Sequence, residues 1–294
     1  MRILAMMLAC CLASTLAHSP ALAADVPDVV GAKDRAIASG HPAQVIVGQR
    51  QIESTIDIGR VASSDSGGGG ILGSIIIAGM DDKKQVLSQS ARAQAEAEIA
   101  PLRQALNGFD IDALALATTE AALAKSSWLH PNKISLASSG ASADTAPTSA
   151  LVIYRYETSP DFTQVRVVAD VRLVSPPAKK GAPSPAPIYR ELITSVVLLR
   201  SPSLDASENV ARWSADDGKL AKAALTNAFA SLEQLIPFTL DISEADAKAI
   251  AAKGRAKAFA AGYYGPSIQQ GGAKPGETLI WAKGFVNVQP SPAL

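Results

Sequence analysis

Cysteine is missing from residues 24–294; the only two, Cys10 and Cys11, lie in an apolar amino-terminal run. A chain without thiols has no disulfide framework, no thiolate nucleophile, no iron–sulfur cluster and no Cys-type zinc site. Its stability must come from core packing. Histidine is scarce as well, with only His41 and His130 after residue 23. Each precedes a proline, neither has a second ligand at i+3 or i+4, and no H-E-x-x-H occurs, so both read as loop histidines. Aromatic residues make up 5% of the chain, too few for a carbohydrate-stacking platform or an aromatic peptide groove. Neither sign of charge is in excess, at 27 basic against 27 acidic side chains. The basic clusters are no larger than lysine pairs such as Lys179-Lys180, which argues against nucleic acid as a partner. Past the amino terminus the longest apolar run is about 14 residues, short of the about 20 that span a bilayer.

What is present begins with residues 1–23. Arg2 is the only basic side chain, Ile3 to Leu16 is apolar apart from Ser14 and Thr15, Pro20 ends any helix, and Ala21-Leu22-Ala23 is small-x-small. That order is the pattern of a cleavable secretory signal, with cleavage expected after Ala23. Met7-Leu8-Ala9-Cys10 loosely resembles a lipobox, which would instead place a lipid on Cys10. The apolar reading of Cys10 fits better, because Met7 is a poor match and the preceding segment is short.

Residues 24–43 read as an extended lead-in, residues 44–240 as an α+β core domain, and residues 241–294 as an appendage of helix and strand. In QIESTIDIGRV, Ile52, Ser54, Ile56 and Ile58 alternate with Glu53, Thr55 and Asp57, the period of a half-buried strand. The Gly-rich segment 66–80 follows. It places Gly69 and Gly73, and Gly70, Ser74 and Ala78, at four-residue spacing, the small-xxx-small pattern that lets helices approach closely. It lacks the Lys-Ser/Thr of a P-loop and the G-x-G-x-x-G spacing of a dinucleotide fold. A helix over 83–106 is expected to kink or break at Pro101. A second, about 111–129, starts at the cap Asp110. Residues 151–157 and 163–174, joined by Ser159-Pro160-Asp161, read as a β-hairpin. The loop 175–187 is proline-rich and expected to lack fixed structure. Residues 188–200 are apolar on both faces toward their end, as a central strand is. A long helix should start at Ser214 with Asp217 and end at Pro237. Ser243 with Asp246 caps another, and 279–288 form one last strand. The expected fold is therefore an antiparallel sheet of about four strands with helices on one face, plus a helical C-terminal appendage.

Residues VIVGQRQIESTIDIG, the Gly-rich segment closing on Asp81-Asp82, and AEIAPLRQAL together resemble a family of uncharacterised exported proteobacterial proteins. That resemblance covers roughly the first half of the mature chain and brings no activity with it. The element order of 111–236 is similar to small α/β domains of outer-membrane assembly lipoproteins, a likeness of order alone, from which no function follows.

Catalytic motifs do not surface. There is no G-x-S-x-G elbow and no calcium loop. Ser126 and Ser127 follow Lys125 in the wrong order for an S-x-x-K pair. The carboxylate pairs Asp81-Asp82, Asp110 with Asp112, and Asp216-Asp217 sit where helices start or end, as caps do. Arg166, Asp170 and Arg172 share a strand face, as cross-strand ion pairs do. No catalytic, cofactor-binding or metal-ligating residue is assigned and no cofactor is expected. The candidate interaction residues are Gly69, Gly70, Gly73, Ser74 and Ala78. The expectation is a non-catalytic exported protein of the periplasm or envelope that binds another envelope protein, or itself, through its sheet face and Gly-rich helix, with membrane contact open to that helix. The alternative is a periplasmic hydrolase whose carboxylates meet only in the fold.

Overall fold

Strands from residues 43–54 and from residues 267–290 belong to one sheet. The computed structural model describes residues 26–55, 80–137, 150–174, 187–253, 258–268 and 276–293. In chain order the elements are α1 (Ala32–Ala38), β1 (Ala43–Val47), β2 (Glu53–Ser54), α2 (Met80–Ala105), α3 (Ile111–Lys125), β3 (Ile134–Ala137), β4 (Ala150–Thr158), β5 (Gln164–Val174) and β6 (Pro187–Leu198). They continue with α4 (Ala206–Asp241), α5 (Glu244–Ala252), β7 (Ala258–Ala260), β8 (Tyr263–Gly265), β9 (Ser267–Ile268), β10 (Thr278–Trp281) and β11 (Phe285–Pro290). Nine strands form a single sheet in the order β3-β1-β4-β5-β6-β11-β10-β9, with β2 added beside β4. A separate hairpin pairs β7 with β8.

The sheet is mixed, which corrects the expected antiparallel sheet of four strands. β1 lies parallel to both β3 and β4, and β11 lies parallel to β6. The antiparallel pairs are β4–β5, β5–β6, β10–β11 and β9–β10. Parallel neighbours need a long crossover, and the helices supply it. α2 and α3 lie between β1 and β3, and α4 lies between β6 and β11. The expected C-terminal appendage is therefore not one: β9, β10 and β11 complete the same sheet. The strand expected over 279–288 is a hairpin, turned at Lys283 (φ 58°) and Gly284 (φ 148°). Even the tail is pinned, since the Ser291 amide donates to the Leu198 carbonyl at 2.7 Å.

One face of the sheet lies under the helices. Val45, Val152, Tyr154, Val167, Ala169, Ile193 and Phe285 point into it and are buried, against Ala224, Leu225, Phe229 and Leu232 of α4 and Ala115 and Ala122 of α3. The alternation in β5 is strict, as a half-buried strand requires: Val165, Val167, Ala169, Val171 and Leu173 are all at or near zero exposure. Tyr154 ties strand to helices twice, stacking at 5.2 Å on Phe229 and hydrogen-bonding Thr119 at 2.9 Å.

Helix boundaries differ from the sequence reading in instructive ways. α4 starts at the cap Asp205, whose carboxylate accepts from the Ser207 amide at 2.8 Å. The capping box expected at Ser214 does not form, because Ser214 Oγ donates back to the Val210 carbonyl. The helix does break there: Asp216, Asp217 and Gly218 take φ of 50°, 56° and 70°. Gly218 is needed at that point, since a Cβ would sit 3.0 Å from the Ala105 carbonyl oxygen. The helix also runs through Pro237 to Asp241, and α2 runs through Pro101 to Ala105. The caps Asp110 (to Ala113 N, 2.9 Å) and Ser243 (to Asp246 N, 3.1 Å) form as read. Residues 32–38 of the expected lead-in are helical, and Val30 is buried in the core.

Candidate functional site

The residues named from sequence as interaction candidates, Gly69, Gly70, Gly73, Ser74 and Ala78, lie outside the described residues, as does most of the loop 175–187. Asp81 and Asp82 lie within α2, Asp110 caps α3 with Asp112 in its first turn, and Asp217 pairs with Lys222 at 2.8 Å beside the break in α4. His41 and His130 stand apart, one just before β1 and the other between α3 and β3. Among the described residues no group of three or more His, Cys, Asp or Glu is arranged to hold a metal ion. Nor is any described helix long and apolar enough to cross a membrane.

Two other places carry chemistry. The first is the sheet face turned away from the helices. β-Strand alternation places Gln44, Ile46, Leu151, Ile153, Arg155, Glu157, Arg166, Val168, Asp170, Arg172, Arg190 and Leu192 there. Register lines them into rows: Ile153, Asp170 and Leu192 cross three strands, and Leu151, Arg172 and Arg190 lie beside them. Asp170 is gripped from both sides. Arg172 Nε reaches Oδ1 at 3.0 Å, and Arg190 donates to both oxygens at 3.0 and 2.9 Å. Burial alone would raise the Asp170 carboxyl; the two guanidiniums outweigh it and hold the group below the usual carboxylate range. Glu157 goes the other way: burial raises it further than Arg166, at 3.6 Å, lowers it. One end of this face is closed. Val196, Ile280, Val286 and Val288 form a second small core under Ala261 and Tyr263, and Arg166 stacks over the Tyr263 ring at 5.6 Å. Toward the other end, Arg155 and Arg190 are exposed and Leu192 is 38% exposed. The grouping of Arg166, Asp170 and Arg172 on one strand face was legible in the alternation of β5. The arrival of Arg190 was not, because it requires the β5–β6 register.

The second place is a pocket of about 140 Å³ between the chain before β2, the end of α2, the turn into α3 and strand β4. Arg50, Arg103, Asn107 and Tyr156 give it polar groups, and Ile52, Leu106 and Phe109 give it apolar wall. Arg103 is fixed by Glu96, which it forks, and by the Ile52 carbonyl at 2.9 Å. No sequence motif marks these four residues, which come from three separate stretches. Among the described residues no carboxylate lines the pocket.

A further buried ionisable group is Glu191. It faces the helix side of β6 between Tyr189 and Ile193 and is 5% exposed. Burial, reinforced by the nearby Asp28 carboxylate, pushes its carboxyl up to about 8. Its position on the apolar face of IYRELITSVV is legible in the sequence as an acidic residue among buried neighbours. No family model matches this chain, and neither the curated proteins nor the solved structures yield a match.

Proposed function

We propose that this chain is an exported, non-catalytic envelope protein that binds another protein through the sheet face opposite its helices. Support for export is the order of residues 1–23, basic, apolar, then small-x-small. The observation that carries the binding reading is the exposed apolar side chain of Leu192, set among Arg155, Arg190 and the clamped Asp170 on a face that no described helix covers. An exposed apolar patch rimmed by polar groups is the usual form of a protein-binding surface. The partner of matching chemistry presents an apolar side chain to Leu192 and Ile153, and carboxylates to Arg155 and Arg190.

Capture from cross-linked envelope fractions tests this with three chains: wild type, Leu192→Asp with Arg155→Glu, and Leu204→Asp. Leu204 is fully exposed but lies in the loop before α4, off the face. The expected result is a captured protein that the face variant loses and the Leu204 variant keeps. The same set of proteins from all three chains would refute the reading. Export is tested separately by mass spectrometry of the mature amino terminus, expected at Ala24. A lipid-modified Cys10 would overturn the periplasmic assignment.

A further inference from the structure

We propose that the pocket bounded by Arg50, Arg103, Asn107 and Tyr156 binds a small monoanionic carboxylate with a short apolar group. The central observation is the Tyr156 hydroxyl. Tyr156 is only 4% exposed and lines the pocket, yet its phenolic oxygen has no hydrogen-bond partner among the described residues. The oxygen itself is not sealed from solvent: among the described residues the sealed, unpaired side-chain atoms are Gln44 Oε1 and Thr158 Oγ1. Tyr154, two residues earlier on the same face of β4, shows the ordinary solution with its bond to Thr119. The Tyr156 oxygen is left toward the pocket, where a ligand can meet it.

The surrounding groups are donors in the same sense. A guanidinium has five N–H groups. Arg103 spends three, two on Glu96 and one on Ile52, which leaves two while holding the fork in place. Arg50 has no ion pair among the described residues, and Asn107 adds an exposed side-chain amide. The Tyr156 phenol is pushed up to about 12, chiefly by burial, so at neutral pH it carries its proton and donates. Four donors and no lining carboxylate call for a ligand of acceptor oxygens.

Charge and volume narrow the class. Glu53 and Asp112 lie close enough to act on the Tyr156 hydroxyl electrostatically. Their charges tell against a dianion such as phosphate. The opposite wall, Ile52, Leu106, Phe109 and Ile111, suits carbon rather than more oxygen. A volume of about 140 Å³ is below the about 300–1,000 Å³ of clefts that take drug-sized molecules, so the ligand is small.

The test is an amide-shift NMR titration of the full mature chain at constant ionic strength. The probes are sodium butyrate, uncharged butyramide and inorganic phosphate. Butyrate should bind saturably, shifting amides of 50–52, 103–112 and 156, and butyramide and phosphate should bind at least tenfold more weakly. Arg50→Gln and Tyr156→Phe should each weaken butyrate at least fivefold without lowering the melting temperature. Arg50 is exposed, so its variant folds whatever the phenol contributes. Linear, unsaturated shifts, equal binding of butyramide or phosphate, or unchanged affinity in Arg50→Gln would each overturn the proposal.

Discussion

Glu191→Gln tests whether a protonated carboxyl is built into the native core. Glu191 sits among Tyr189, Ile193 and the core side of β5, with its Oε1 accepting from the Leu192 amide at 3.2 Å. Asp28 faces it from the segment before α1, and the Tyr189 phenol, also pushed up by burial, lies beside both. The carboxyl titrates near 8 in the folded chain against 4.5 for the ordinary group. Between those two pH values the unfolded chain has lost the proton and the native chain keeps it. Stability from this group is therefore fully present below about 4.5 and is lost as pH rises toward 8. At about 1.36 kcal/mol per pH unit, the whole window amounts to at most about 5 kcal/mol. Water entry and side-chain relaxation reduce that toward about 2–3 kcal/mol, still a large share of the about 5–15 kcal/mol that holds a domain folded. Glutamine keeps the shape and the acceptor and removes the titration. Urea unfolding of both chains at pH 5, 6.5 and 8 separates this group from all others, which the two chains share. The variant should gain on wild type by about 2 kcal/mol or more between pH 5 and pH 8. Parallel pH curves would refute the buried, protonated state. Asp28→Asn should move the wild-type fall to lower pH, because it removes a charge that disfavours the proton-free form of Glu191 and so does part of the raising.

Other substitutions probe the packing. Phe229→Ala removes a fully buried ring from the contact with Tyr154 and should cost about 3–5 kcal/mol by chemical denaturation. Trp213→Phe keeps an aromatic ring but strips the bond from Nε1 to the Phe162 carbonyl at 2.7 Å; leaving that buried carbonyl unpaired should cost about 1–3 kcal/mol. Gly265→Ala would put a Cβ at 1.7 Å from the Trp281 carbonyl oxygen. The β8–β10 contact must then open, visible as a changed near-ultraviolet signal of Trp281 and a lower melting temperature. Unchanged spectra and melting would show that the hairpin does not lie against β10.

Several features were legible because they are local. The β4–β5 hairpin follows from period-2 alternation on both sides of a Ser-Pro-Asp turn, and the observed strands, Ala150–Thr158 and Gln164–Val174, bracket that turn. The caps at Asp110 and Ser243 need only a side-chain oxygen and an amide three residues on. The helix start expected at Ser214 marks a real discontinuity, although it is a left-handed break within α4 rather than a cap. The prolines misled for a related reason. Proline removes one hydrogen bond, and packing outweighs that loss at Pro237, which is buried in α4 beside Ile236.

The sheet as a whole could not be read in the same way. Parallel pairing joins segments far apart in sequence, β1 to β4 and β6 to β11, and nothing within either strand names its neighbour. The Asp170 clamp and the Tyr156 pocket both have that origin. Asp170 meets Arg190 because β6 runs antiparallel to β5 in one register. Tyr156 meets Arg50 and Arg103 because the chain before β2 and the end of α2 both close on β4. Composition and periodicity state how each segment will bury its apolar side, since burial is a property of single residues and their spacing. Which polar groups then stand together depends on the order and register of strands, an outcome of packing between distant segments.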